Sequence, residues 1–185
     1  MSDAIDELSS ILARGRDRRY GIETVSQLEH ALQCATMAEL EKAPAALVTA
    51  ALVHDIGHIL SPDLVPAALR GEDAHHEERG ADFLSQWFGD DVLQPVRLHV
   101  AAKRYLTAWE PGYGQLLSKG SRRTLALQGG PFNPQEAADF LRMPGAEEAL
   151  MVRRWDEQAK VEGAETPPLE HFRPQVEAAL RHSAA

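Results

Sequence analysis

The chain has 185 residues, of which 44% are hydrophobic and 25% charged, and a formal net charge of −9. That length holds one domain with a substantial core, and the composition is that of a globular protein rather than a disordered or fibrous one. The acidic balance and the lack of a long basic stripe exclude nucleic acid as the main partner, and the longest apolar stretch, around residues 43–53, is far too short to span a membrane. The acidic start, Met1-Ser2-Asp3-Ala4-Ile5-Asp6, has no basic-then-apolar leader. Cys34 is the sole cysteine, so no intramolecular disulfide forms, which fits a reducing compartment. A cytoplasmic enzyme is expected, and a monomer.

In chain order, Ile5, Leu8, Ile11 and Leu12 fall at helical spacing within residues 4–13. A basic connection bounded by Gly15 and Gly21 contains Tyr20. A second helix is predicted over about 24–41 and carries His30. Pro44 opens a third, apolar run that delivers His54 and Asp55 at its C-terminal end. Residues 61–73 contain two prolines and read mostly as loop. Helices follow over about 75–87 and 91–106, the latter carrying His99 and Lys103. Residues 109–120 are turn-rich, and 125–130 lead into Pro131. Asn133, with Pro134 behind it and Glu136 three residues on, caps a helix ending near Pro144. A late helix over about 145–160 carries Arg153, Trp155 and Asp156, and Pro167-Pro168 precede a last amphipathic segment to Arg181. Strand signals are weak throughout. The reading is all-α: a single helical domain over 1–185.

The pair His54-Asp55 stands out. Two ionisable residues close an apolar run, where an unpaired carboxylate is costly to bury and a metal removes that cost. A carboxylate has two oxygens, so Asp55 could bridge two ions. His30, His76, His99 and Asp156 are further ligand candidates, and periodicity alone does not choose between His75 and His76. These ligand types suit iron, manganese or zinc. His58 lies one turn beyond His54. His99 and Lys103 share a helix face, an arrangement suited to holding an anion. Arg153 and Asp156 also share a face, where an ordinary salt bridge is the simpler explanation. His171 and His182 look structural or exposed. Trp87, Trp109 and Trp155 read as packing residues. No phosphate-binding glycine loop, nucleophile elbow or Cys-x-x-Cys motif is present.

The order His30, His54-Asp55, His76, His99, Asp156 resembles the HD-domain superfamily with a dinuclear centre. Further stretches narrow the resemblance: Tyr20-Gly21-Ile22-Glu23, His76-Glu77-Glu78-Arg79-Gly80-Ala81-Asp82, His99-Val100-Ala101-Ala102-Lys103-Arg104-Tyr105, Gln128-Gly129-Gly130-Pro131 and Arg153-Arg154-Trp155-Asp156. Together they resemble the PhnZ-type phosphonate-cleaving oxygenases over about residues 20–171.

The resemblance implies a helical bundle around a mixed-valent Fe(II)/Fe(III) pair, with dioxygen as co-substrate. It implies His30, His54, Asp55 and Asp156 on one iron, and Asp55, His76 and His99 on the other. It implies oxidative cleavage of the C–P bond of a 2-amino-1-hydroxyethylphosphonate or its N-trimethyl analogue, giving glycine or glycine betaine and phosphate. Lys103, Ser121 and Arg153 match positions that hold the phosphonate, with His58 nearby. Tyr20 and Glu23 match a gate in which Tyr20 leaves an iron and Glu23 receives the ammonium. A carboxylate suits a primary ammonium, whereas a quaternary one has no N–H to give. Three rival readings stay open. One is a metal-dependent phosphohydrolase of the same superfamily, another a non-catalytic ligand-binding domain. The third is an oxygenase for another hydroxylated compound, in the manner of myo-inositol oxygenase.

Overall fold

The computed structural model describes residues 2–61, 73 and 75–181. Its elements are α1 (Ser2–Ala13), α2 (Gln27–Leu40), α3 (Ala45–Val53), α4 (Ile56–Leu60), α5 (His76–Leu84), α6 (Asp90–Trp109) and α7 (Tyr113–Leu116). Then come α8 (Lys119–Leu127), α9 (Pro134–Leu141), α10 (Ala146–Gln158), a 3₁₀ turn (Leu169–Phe172) and α11 (Arg173–Ala179). Two isolated bridges, Arg19 with Ser26 and Phe88 with Leu180, are the only extended pairings among the described residues. The fold is all-α, as expected. Most of the predicted loop after α4 lies outside the described residues, as does His182.

Local chemistry accounts for the main boundaries. Ser26 caps α2 by accepting from the Glu29 main chain, while the Glu29 carboxylate accepts from Ser26 N at 2.6 Å. This reciprocal pair starts α2 three residues later than expected. Asn133 and Glu136 do the same for α9, with Pro134 in the first turn. From Leu47 to Val53 every residue of α3 is buried. A short helix apolar on all sides belongs in the middle of a protein, and α2, α6, α10 and α11 all pack against it. α10 packs most extensively on α6. The main core includes Leu52, Leu84, Phe88, Trp155 and Phe172, and side chains of this size contribute about 1.5–3 kcal/mol each when fully buried.

Two expectations need correcting. Residues 119–127 form a helix that periodicity does not announce, because Lys119, Gly120, Arg122 and Arg123 break up its apolar face; Ser118 starts it by accepting from Ser121 N at 3.1 Å. Trp109 does not pack. It ends α6 with 48% of its surface exposed, whereas Trp155 is buried in the core and Trp87 packs against it half-buried.

One contact fixes the relation of α4 to α5. A Cβ on Gly57 would stand 2.1 Å from the His76 carbonyl oxygen, and one on Gly80 would stand 3.3 Å from Gly57 N. Only glycine lets the two backbones approach this closely. His75 precedes α5 in the left-handed region, at φ 45°, and this turn exposes His75 while His76 is buried.

Candidate metal centre

Six side chains from five places in the fold meet beneath one cavity. α2 supplies His30; the junction of α3 and α4 supplies His54 and Asp55; α5 supplies His76, α6 His99 and α10 Asp156. All six are buried or nearly so. Asp55 lies at the centre. Its Oδ2 is 3.7 Å from His30 Nε2 and 3.5 Å from His54 Nε2. Its Oδ1 is 3.1 Å from His76 Nε2 and 3.4 Å from His99 Nε2. Asp156 Oδ1 closes the first group at 3.5 Å from His30 Nε2. Within the groups, His30 and His54 Nε2 are 3.3 Å apart, and His76 and His99 Nε2 are 3.1 Å apart.

These separations are those of atoms sharing an ion, since donors about 2.1 Å from a divalent metal stand about 3.0–3.5 Å from one another. The outward nitrogens support this. Nδ1 of His30 faces the Ala159 carbonyl at 2.7 Å, that of His54 faces Ala51 at 2.9 Å, and that of His99 faces Val96 at 2.7 Å. A carbonyl can only accept, so in these three rings the proton is on Nδ1 and a bare Nε2 lone pair points inward. Both Asp55 oxygens are buried without a hydrogen-bond partner. Lone pairs facing a bare carboxylate repel one another unless cations lie between them, so the donor set fits two metal ions, one per oxygen of Asp55.

Burial pushes His54 down to about 4. Burial and the neighbouring His54 lower His30, and burial and His58 lower His76. Neutral rings are what a metal requires. Burial raises Asp55, but His54, His76 and His99 outweigh it and hold the carboxyl well below its ordinary range. Cys34 Sγ is 3.8 Å from His30 Nε2, and burial pushes its thiol up.

The cavity above this cluster, about 200 Å³, collects the other expected site residues: Tyr20, Glu23, His58, Lys103, Ser121 and Arg153 all line it. Tyr20 stacks on His30 with ring centroids 3.9 Å apart, and its hydroxyl donates to Asp156 Oδ1 at 3.4 Å. Glu23 Oε1 accepts from Gly120 N at 3.3 Å. His58 stacks on His76 at 4.0 Å, with its Nδ1 buried and unpartnered. Lys103 Nζ donates to Thr124 Oγ1 at 2.9 Å. Arg153 and Asp156 form a buried pair rather than a surface one.

Arg153 and Ser121 are more heavily engaged than sequence suggests. The guanidinium donates to Tyr113 Oη at 2.8 Å, to Ser121 Oγ at 3.2 Å, and to Asp156 and Glu157. Ser121 gives its one proton to Glu157 at 2.8 Å. Sequence reasoning missed Lys160. Its Nζ donates to Ser121 Oγ at 3.0 Å and Glu157 Oε2 at 2.9 Å, and lies 3.3 Å from Asp156 Oδ1. The one available signal was its place four residues after Asp156, a helical turn beyond a ligand candidate. Glu77 was also missed as a contributor. It is buried, and its Oε2 lies 3.3 Å from His76 Nδ1.

A model of the HD domain matches residues 27–130. The chain is 41% identical over 173 residues to the [1-hydroxy-2-(trimethylamino)ethyl]phosphonate dioxygenase (glycine-betaine-forming) of Leisingera caerulea, covering 94% of this chain and 88% of the relative. It is 43% identical over 162 residues to the hydroxymethylphosphonate dioxygenase of Gimesia maris, covering 87% and 81%. It is 32% identical over 154 residues to uncharacterized protein L432 of Acanthamoeba polyphaga mimivirus, covering 82% and 70%. Among the described residues, no helix is long and apolar enough to cross a membrane.

Proposed function

The chain belongs to the HD-domain family, in its phosphonate-oxygenase branch, and from that membership we propose that it cleaves the C–P bond of a 1-hydroxyphosphonate with dioxygen. For a substrate R–CH(OH)–PO₃²⁻ the balance is one O₂ consumed, with R–COO⁻, HPO₄²⁻ and one H⁺ formed. The substrate we favour is 2-amino-1-hydroxyethylphosphonate, which yields glycine; the N-trimethyl analogue, which yields glycine betaine, is the alternative. The reading has the enzyme act as a cytoplasmic monomer on a small diffusible substrate.

Two iron ions, one Fe(II) and one Fe(III), would be held by the Asp55-centred ligands, and would supply the redox chemistry and the binding of dioxygen. The protein's residues position and neutralise. Lys103 would meet a phosphonate oxygen with its ammonium. His58, stacked on His76, would lie beside the same group. Arg153 and Ser121 would complete the anion's surroundings; Arg153, through its pairing with Asp156, would also hold that proposed ligand in place. Glu23, steadied by Gly120 N, would receive the substrate ammonium. The tight turn joining Glu23 N to Tyr20 O at 2.9 Å ties that residue to the Tyr20 gate.

The observation that carries this reading over a hydrolase is Tyr20. Its ring covers His30 and its hydroxyl points at Asp156, so a removable side chain sits beside the metal position that dioxygen would need. The test is phosphate release from 2-amino-1-hydroxyethylphosphonate and its N-trimethyl analogue by iron-loaded protein, with and without oxygen. Release that requires oxygen is expected. Release without oxygen, or release only from phosphate esters, would overturn the proposal in favour of a phosphohydrolase.

A further inference from the structure

We infer that two groups which touch neither metal position, Glu77 and Lys160, bring the two halves of the centre toward equal charge. The inference rests on the dinuclear reading of the site.

The ligands by themselves are unequal. The half built on His30 and His54 has Asp156 and one oxygen of Asp55, so it is offered two carboxylates. The half built on His76 and His99 has only the other oxygen of Asp55. Two like ions would bind such halves very differently, and the richer one would favour the more highly charged ion.

Each half carries a neighbour of opposite effect. Lys160 Nζ stands 3.3 Å from Asp156 Oδ1, the oxygen that faces His30. It is buried, and Arg153 and Lys160 together balance Asp156 and Glu157 one for one. A cation on a ligand oxygen withdraws charge from that ligand. Glu77 acts on the other half. Its Oε2 is buried with no hydrogen-bond partner, and His76 Nδ1 lies 3.3 Å away. The other three ligand histidines face neutral carbonyls through Nδ1, so the one imidazole backed by a carboxylate belongs to the half that is short of negative charge. A carboxylate behind a ligating imidazole raises its basicity and the metal's affinity.

The test uses full-length metal-free protein: wild type, Glu77→Gln, Lys160→Met and Lys160→Arg. Fe(II) is titrated anaerobically by calorimetry, and the iron couple is followed by EPR during a redox titration. Glu77→Gln should weaken one of the two sites by about 10- to 100-fold, the range for losing such a partner, and move the couple to more positive potential. Lys160→Met should tighten the other site and move the couple to more negative potential. Lys160→Arg, which keeps the charge, should behave as wild type. Shifts of the same sign in Glu77→Gln and Lys160→Met, or wild-type behaviour in either, would overturn the inference. A merely structural role would lower the thermal midpoint of both and weaken iron in both. Wild-type protein that binds two irons without turning over a phosphonate would defeat the proposed function alone. Protein that binds a single ion would defeat the dinuclear reading and this inference with it.

Discussion

Asp55 turns one oxygen toward each histidine pair, and among the described residues neither oxygen has a hydrogen-bond donor. Asp55→Ala should therefore lose both metals, while Asp156→Ala should lose only the ion next to His30; metal content per chain, measured after gel filtration, separates the two. Lys103 sets a pH dependence. Burial, with Arg153 and Lys160 beyond it, pushes its amine down to about 7. The ammonium is thus present below about 7 and lost above it, so KM for the phosphonate should rise as pH climbs through that value, approaching about tenfold per unit. Lys103→Arg stays charged throughout and should flatten the rise, which separates the lysine from the phosphonate's own ionisation. Lys103→Ala should keep both metals and weaken phosphonate binding by about 1.5–3 kcal/mol, the size of a charge-assisted contact. The six residues that the structure gathers around Asp55 are those that the resemblance singled out in the sequence. Lys160 and Glu77 were not, because a Lys at a helix end or a Glu beside a His usually faces solvent, and only tertiary packing turns these two inward.

Helices legible in the chain were those with a start signal or a sustained apolar pattern. Asn133 and Glu136 announced α9, and the apolar run from Leu47 to Val53 announced α3 as a central element. α8 has a cap in Ser118 but no such pattern: its apolar contact rests chiefly on Leu125. The contact of α4 with α5 shows what an element boundary can demand. Gly57→Ala would drive a methyl group into the His76 carbonyl. The cost should exceed the roughly 1–3 kcal/mol of ordinary overpacking, and the His76–His99 half should lose metal before the His30–His54 half does. Thermal unfolding combined with metal analysis would show both, and an undisturbed second half would refute the role given to this crossing.

Across the whole molecule the centre ties five segments together, from α2 to α10. Bound metal stabilises the native state by mass action, by about 2.7 kcal/mol at a free concentration one hundred times the dissociation constant. Chelation should therefore lower the thermal midpoint, with the largest gain in amide exchange where α10 and α2 meet α3. An unchanged midpoint would mean that the apolar core alone holds these helices in place. The placement of the ligands along the chain has a consequence for biosynthesis. His76, His99 and Asp55 have all left the ribosome while α10 is still being made, whereas the partner set waits for Asp156, which lies in α10 itself. Domains emerge from the N-terminus onward, so the nascent protein can offer one half of its centre to the cell's metal supply before the other half is complete.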